Sequence, residues 1–233
     1  MTVRRSPALG LLVVAKAPEA GRVKTRLCPP LTSSQAADLA AAALLDTLTA
    51  VTAVPGGRVV VALTGDLSRA ARAAALHRAL RGVPTPAQRG SDLGHRIAAA
   101  HRDAAALLPG RPVLQLGMDT PQVEPALLAD AVAPLRGDAA DAVLGPATDG
   151  GWWALGLRDP RAAAVIADVR TSRDDTGDRT LRALRAAGLR VVLLPELTDV
   201  DTVADATAVA RTAPGTRFAA ALAALAPPRA GAA

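Results

Sequence analysis

The chain has 233 residues, half of them hydrophobic, with 27 Lys and Arg against 21 Asp and Glu for a formal net charge of +6. That length suits an α/β domain with an ample core, and a core with only Trp152, Trp153 and Phe218 as aromatics must be built from Ala, Leu and Val. The arginines are scattered among alanines with no basic stripe interleaved with aromatics, which argues against nucleic acid. The single cysteine, Cys28, excludes an intrachain disulfide and a cysteine zinc cluster.

In chain order, the first apolar run is Leu9-Gly10-Leu11-Leu12-Val13-Val14-Ala15. Arg4 and Arg5 before it and Ala15-Lys16-Ala17 after it loosely mimic a signal peptide. Lys16 lies inside the would-be cleavage site and Pro18 follows at once, so a buried first strand explains the run better. No segment approaches the ~20 apolar residues that span a bilayer, and a cytoplasmic protein with no membrane partner is expected. Further Val- and Leu-rich runs are Val59–Leu63, Val113–Leu116, Ala142–Gly145 and Val191–Leu194. They are near-continuous, as strands covered on both faces require. Between them the pattern predicts helices at about 33–53, 67–81, 92–107, 124–135, 177–187 and 202–212, with Thr32 and Gln35 forming a capping box for the first. Trp152–Leu157 follows a Gly-Gly turn and is expected to fold back antiparallel on 142–147. Phe218–Ala226 fits a short last helix, and the tail 227–233 should be disordered. Strand–helix alternation of this kind gives a Rossmann-like, mostly parallel sheet with helices on both faces. No repeat or interdomain linker is visible, so residues 1–226 are expected to form one domain.

The basic residues are not spread evenly by type. Lys16 and Lys24 are the only lysines, and both lie in Ala15-Lys16-Ala17-Pro18-Glu19-Ala20-Gly21-Arg22-Val23-Lys24-Thr25-Arg26-Leu27, where Arg22 and Arg26 bring the cations to four. Lysine is a compact point charge suited to phosphate oxygens. A basic, Gly- and Pro-containing loop between a strand and a helix is where α/β proteins hold phosphates. A solvated basic loop is the plainer alternative.

Ligands of such sheets sit outside the carboxyl ends of the strands. There the third run ends in Gly117-Met118-Asp119-Thr120-Pro121, the fourth in Gly145-Pro146-Ala147-Thr148-Asp149-Gly150-Gly151, and the last in Leu197-Thr198-Asp199-Val200-Asp201-Thr202. Cations and acids converging on one edge are what a Mg²⁺–phosphate site needs. Each acid also has a structural role open to it: Asp119 as a cap before Pro121, Asp149-Gly150 as a hairpin turn, Asp199 as a turn residue and Asp201 as a helix cap. Arg96, in Asp92-Leu93-Gly94-His95-Arg96, could reach a substrate anion, with Ser91 or Asp92 capping the helix. His77, His95 and His101 read as surface residues, and Ser33, Ser68 and Ser172 have no partners that would make a nucleophile. A Gly-x-Gly pattern is absent after the first strand, which disfavours an NAD enzyme.

These motifs, taken in order, resemble the radical-SAM/selenodomain-associated transferase 1 family. They are similar to the 2-phospholactate (phosphoenolpyruvate) guanylyltransferases, whose first loop likewise carries Lys-Ser-Arg-Leu or Lys-Thr-Arg-Leu. Both have the GT-A, nucleotide-diphospho-sugar transferase fold, and the likeness covers about residues 9–212. It implies nucleotide binding by Ala15, Lys16, Arg22, Lys24, Thr25 and Arg26, with Lys24, Arg26 and Asp119 catalytic. It implies Asp119, Asp199 and Asp201 as ligands of Mg²⁺ or Mn²⁺. Arg96, Thr148, Asp149, Gly150, Gly151 and Trp152 would face a small-molecule acceptor. The second tryptophan, Trp153, and the segment 168–180 depart from the family pattern beside that acceptor. Three readings follow: nucleotidyl transfer from an NTP to a phosphate-bearing acceptor, glycosyl transfer from an NDP-sugar, or a non-catalytic nucleotide-binding protein. A homodimer is left open.

Overall fold

The computed structural model describes residues 9–171 and 173–225; Arg4, Arg5, Ser172, Ala226 and the tail 227–233 lie outside the described residues. Six strands form one sheet in the order β2-β1-β3-β5-β4-β6. Strand β1 (Leu9–Lys16) is flanked in parallel by β2 (Gly57–Thr64), at one edge, and β3 (Val113–Leu116). Strand β5 (Trp152–Leu157) runs antiparallel between β3 and β4 (Ala142–Pro146), and β6 (Val191–Leu193) pairs in parallel with β4 at the edge.

The period-2 alternation of strand side chains divides the apolar runs between two helix layers. Leu11, Val13, Leu114 and Leu116 pack under α1 (Ser33–Thr52), α2 (Ala73–Ala79) and α4 (Pro125–Arg136). On the other face Leu12, Val60 and Val113 meet α3 (Leu93–Leu107), and Leu155 and Leu157 meet α5 (Thr176–Ala186) and a 3-10 turn at Pro160–Ile166. Two C-terminal helices, α6 (Val203–Thr212) and α7 (Arg217–Leu225), form a satellite cluster with α1 around Phe218 and Leu39. The Thr32–Gln35 capping box is present. This is the mostly parallel sheet with helices on both faces that the alternating pattern predicts.

Three sequence expectations change. The helix predicted over 67–81 is two pieces, a 3-10 turn at Leu67–Arg69 and α2, separated by Arg72 at φ 54°. Arg72 is held there by Asp38 of α1, which accepts from Nε and Nη2 at 2.7 Å each, while Ala71 N donates to Pro18 O. His101 is fully buried, not on the surface, because it shares the inner face of α3 with Ile97 and Ala104. Strand β6 is not covered on both faces: Val192 and Leu193 are exposed at the sheet edge.

Candidate active site

The loop after β1 is built around its one acid. Glu19 is buried; its Oε1 accepts from Asp66 N at 3.1 Å and its Oε2 lies near the guanidinium groups of Arg22 and Arg69. This anchor turns the chain so that Lys24 enters the cleft in a left-handed conformation, φ 45°, which side-chain-bearing residues seldom adopt and which costs of order 1–3 kcal/mol. Its side chain is 12% exposed, and its ammonium donates to Asp119 Oδ2 at 2.8 Å and to Asp201 Oδ1 at 3.1 Å. Arg26 Nη1 donates to the other Asp201 oxygen at 2.8 Å.

The acids arrive from separate strand ends. Asp119 follows β3, with Gly117 leaving the room its carboxylate occupies: a Cβ on Gly117 would lie 2.6 Å from Asp119 Oδ1. Val200 N donates to Asp119 O at 3.0 Å, and this backbone stitch brings Asp199 and Asp201 beside it. Asp201 is not the cap of α6; Thr202 is, in a capping box with Asp205, which leaves the Asp201 carboxylate to the cleft. One carboxylate oxygen from each of Asp119, Asp199 and Asp201 lies within 4.8 Å of the others. A set of three oxygen donors whose charge needs a cation fits a hard divalent ion such as Mg²⁺.

The electrostatics reflect that crowding. Burial pushes the Asp199 carboxyl up to about 6, with the neighbouring charges of Asp119, Asp149 and Asp201 adding to the shift. Burial alone would disfavour the Lys24 ammonium, but the charges and hydrogen bonds of Asp119 and Asp201 outweigh it and hold its pKa above the ordinary lysine value.

These groups line one end of a cavity of about 640 Å³. Lys16, Arg22, Lys24, Thr25 and Arg26 border it, as do Asp149, Gly151 and Trp152. Ala15 does not: its side chain is in the core, and its carbonyl accepts from Gln88 Nε2. Arg96 folds back on its own loop, donating to Gly90 O at 3.3 Å, and does not line the cavity. Thr148 is turned aside to Leu197 O and Thr198 Oγ1. Gly150, at φ 84°, also lies outside the lining; a Cβ there would sit 1.8 Å from Asp174 O. The Gly-Gly turn therefore serves close packing on Asp174 before α5 and on the first turn of α5, where Gly177 N donates to Gly150 O at 2.8 Å.

That packing brings Thr171, Arg173 and Asp174 to the cavity wall; they lie in the segment 168–180 that the resemblance puts beside the acceptor, although the sequence singled out none of its residues for the site. Gln115 in β3 also reaches the cavity. It is the one polar residue of the run Val113-Leu114-Gln115-Leu116, and that break in an apolar strand was the available signal. The tryptophans diverge at a β-bulge, where Pro146 pairs with Trp152 and Gly145 with Ala154. Trp153 is buried, with Nε1 donating to Pro195 O at 2.9 Å; Trp152 is half-buried and bonds Thr180 Oγ1 of α5 at 3.2 Å.

Comparison with known proteins agrees with this architecture. A family model described as an uncharacterized protein conserved in bacteria (DUF2064) matches residues 47–173. Phosphoenolpyruvate guanylyltransferase of Mycobacterium leprae is 34% identical over 128 residues, 55% of this chain and 57% of that protein. The enzyme of the same description from Mycolicibacterium paratuberculosis is 34% identical over 113 residues, 48% of this chain and 50% of the relative. The chain thus spans about half the length of the curated relatives it matches. A candidate nucleotide-diphospho-sugar transferase from Desulfovibrio desulfuricans G20 superposes with a TM-score of 0.80 at 29% identity, covering 94% of this chain and 95% of that one. CMP:2-keto-3-deoxy-manno-octonic acid synthetase bound to CTP shares the fold alone, with a TM-score of 0.54 and 12% identity over 86% of this chain and 96% of that one.

Proposed function

The chain belongs to the DUF2064 family of uncharacterized proteins conserved in bacteria, and from that premise we propose that it is a nucleotidyltransferase, moving NMP from an NTP to a small phosphate-bearing acceptor with release of pyrophosphate. The observation that carries this reading is the convergence of Lys24, Asp119 and Asp201 at 2.8–3.1 Å, beside Lys16, Arg22 and Arg26, on one sheet edge. Under it residues 1–226 act as one transferase domain, since the sheet from β1 to β6 draws both halves of the site together. The printed activity of the guanylyltransferase relatives makes GTP and phosphoenolpyruvate the first pair to try.

The acceptor's phosphate oxygen attacks the α-phosphorus. The new P–O bond forms as the bond from that phosphorus to the α–β bridging oxygen breaks, and the oxygen departs on pyrophosphate with the bonding electrons. The acceptor oxygen is already ionised, so no protein base is needed, and positioning and charge neutralisation carry the reaction. Lys16, Arg22, Lys24 and Arg26 hold the triphosphate and take up charge on the leaving end. A divalent ion bound by Asp119, Asp199 and Asp201 would neutralise phosphate charge at the same place. Asp149, Gly151, Trp152 and Arg173 wall the acceptor end.

Glycosyl transfer from an NDP-sugar is the second reading, favoured by the 29% identical transferase candidate whose structure covers nearly the whole chain. Thermal shift with each NTP and NDP-sugar in the presence of Mg²⁺ separates the two, followed by a pyrophosphate assay with GTP and phosphoenolpyruvate. Stabilisation by an NTP with pyrophosphate release is expected. Stabilisation by NDP-sugars alone would hand the function to the second reading.

A further inference from the structure

One pair of buried polar side chains is not used by the phosphate chemistry. Gln115 sits in β3 among leucines and is 2% exposed, and on α3 His101 is fully buried with Nε2 3.1 Å from Gln115 Oε1. A neutral imidazole has a single N–H, and His101 Nδ1 has no partner among the described residues. Buried N–H groups are rarely orphaned, lone pairs less rarely so; the proton therefore belongs on Nε2, which donates to Gln115 Oε1. That fixes the amide. Its Nε2 has no protein partner among the described residues, and Gln115 lines the cavity together with Val14, Leu93, Ile97 and Trp152. Gln115 Nε2 is not among the buried unpartnered side-chain atoms of the described residues, so it opens on the cavity, and an apolar residue at this strand position would leave no donor there to meet a ligand. The donor is oriented for something that enters the cavity.

We infer that Gln115 Nε2 donates a hydrogen bond to an sp² oxygen, a carbonyl or a carboxylate, on the non-phosphate part of the bound ligand, and that His101 is the residue that positions it. The inference rests on the nucleotidyl-transfer reading, in which that oxygen belongs either to the nucleobase or to the acceptor.

Gln115→Leu keeps the volume and removes the donor. Using GTP, ATP and phosphoenolpyruvate as probes, one class of ligand should weaken about tenfold, the scale of one buried hydrogen bond to a charged or carbonyl oxygen. Loss of GTP affinity with ATP unchanged assigns the oxygen to the base; a raised KM for phosphoenolpyruvate with GTP affinity unchanged assigns it to the acceptor. A folded Gln115→Leu protein that binds all three as the wild type does overturns the inference, and Gln115→Met serves if the Leu variant does not fold. Gln115→Glu presents an acceptor in place of a donor; wild-type binding in that variant overturns the donor assignment. His101→Gln retains an N–H toward Gln115 and should preserve ligand discrimination better than His101→Leu. Equal discrimination in the two, whatever their melting temperatures, would leave His101 with packing alone. Should the wild type take NDP-sugars and no NTP, the nucleotidyl reading fails, while the same variants titrated with UDP-glucose, whose uracil carries carbonyl oxygens, still decide the role of Gln115.

Discussion

His101 and Lys24 sit in surroundings that oppose each other in sign. Burial lowers the His101 pKa from 6.5 to about 4. Between those two values the unfolded chain takes up a proton that the folded chain refuses, so this contribution to stability is intact above the unfolded value and is lost as pH falls toward the folded one. The window from 6.5 down to about 4 corresponds to roughly 3 kcal/mol. His101→Gln should flatten the denaturant midpoint against pH across it; identical slopes in both proteins would place acid lability elsewhere. Lys24 is instead a largely buried cation whose removal leaves Asp119 without its ammonium partner and Asp201 with Arg26 alone. Lys24→Ala should cost the metal-free protein ~1–3 kcal/mol and weaken NTP binding by a similar amount. Added Mg²⁺ should return more stability to this variant than it gives the wild type. Calorimetry with and without Mg²⁺ checks the first, nucleotide titration the second.

The tryptophan bulge shows how an element divides labour between neighbouring residues. Trp153 fills the core, and its ring occupies the space over Gly145, where a Cβ would lie 2.5 Å from the indole. Trp153→Ala should therefore destabilise by ~3–5 kcal/mol, and Gly145→Ala should also be destabilising because the ring beside it is backed by packed core. Trp152→Ala should be milder and should reduce the fluorescence change on ligand binding, to which Trp153 at the same cavity also contributes, whereas equal destabilisation in both Trp variants would make both residues core. The opposite facing of the two was legible from strand period alone. Other elements were less so. The 67–81 segment has the composition of one helix, and contacts from other elements, Asp38 with Arg72 and Pro18 O with Ala71 N, accompany the break in it. The 3-10 turn at Pro160–Ile166 is too short to show a period, although Asp159 before Pro160 caps it. His101 was misplaced because a lone His on an alanine-rich helix gives no indication of which face turns inward.

At the scale of the whole molecule the site joins residues separated by 95 and 177 positions, the distances from Lys24 to Asp119 and Asp201 along the chain. Their shared edge could be read in advance because parallel strands deliver their ends to one side; their direct pairing could not, because it depends on the Glu19 anchor and the left-handed turn at Lys24. That pairing changes what charge removal should do. Asp119 and Asp201 repel each other and Asp199, yet both bind the same ammonium, so Asp119→Asn or Asp201→Asn removes a repulsion and an attraction together. Each variant should fold, with metal-free stability within about 1 kcal/mol of the wild type. What should vanish is linkage. A wild-type protein at a hundredfold excess of Mg²⁺–NTP over its Kd gains ~2.7 kcal/mol, several degrees of melting temperature for a chain of this size. Asp119→Asn and Asp201→Asn should lose that gain and Mg²⁺-dependent transfer, because the ligand set has lost a carboxylate. If either variant keeps the full Mg²⁺–NTP shift, the ion is held elsewhere, and convergence of these acids at the sheet edge serves only to fix the Lys24 loop.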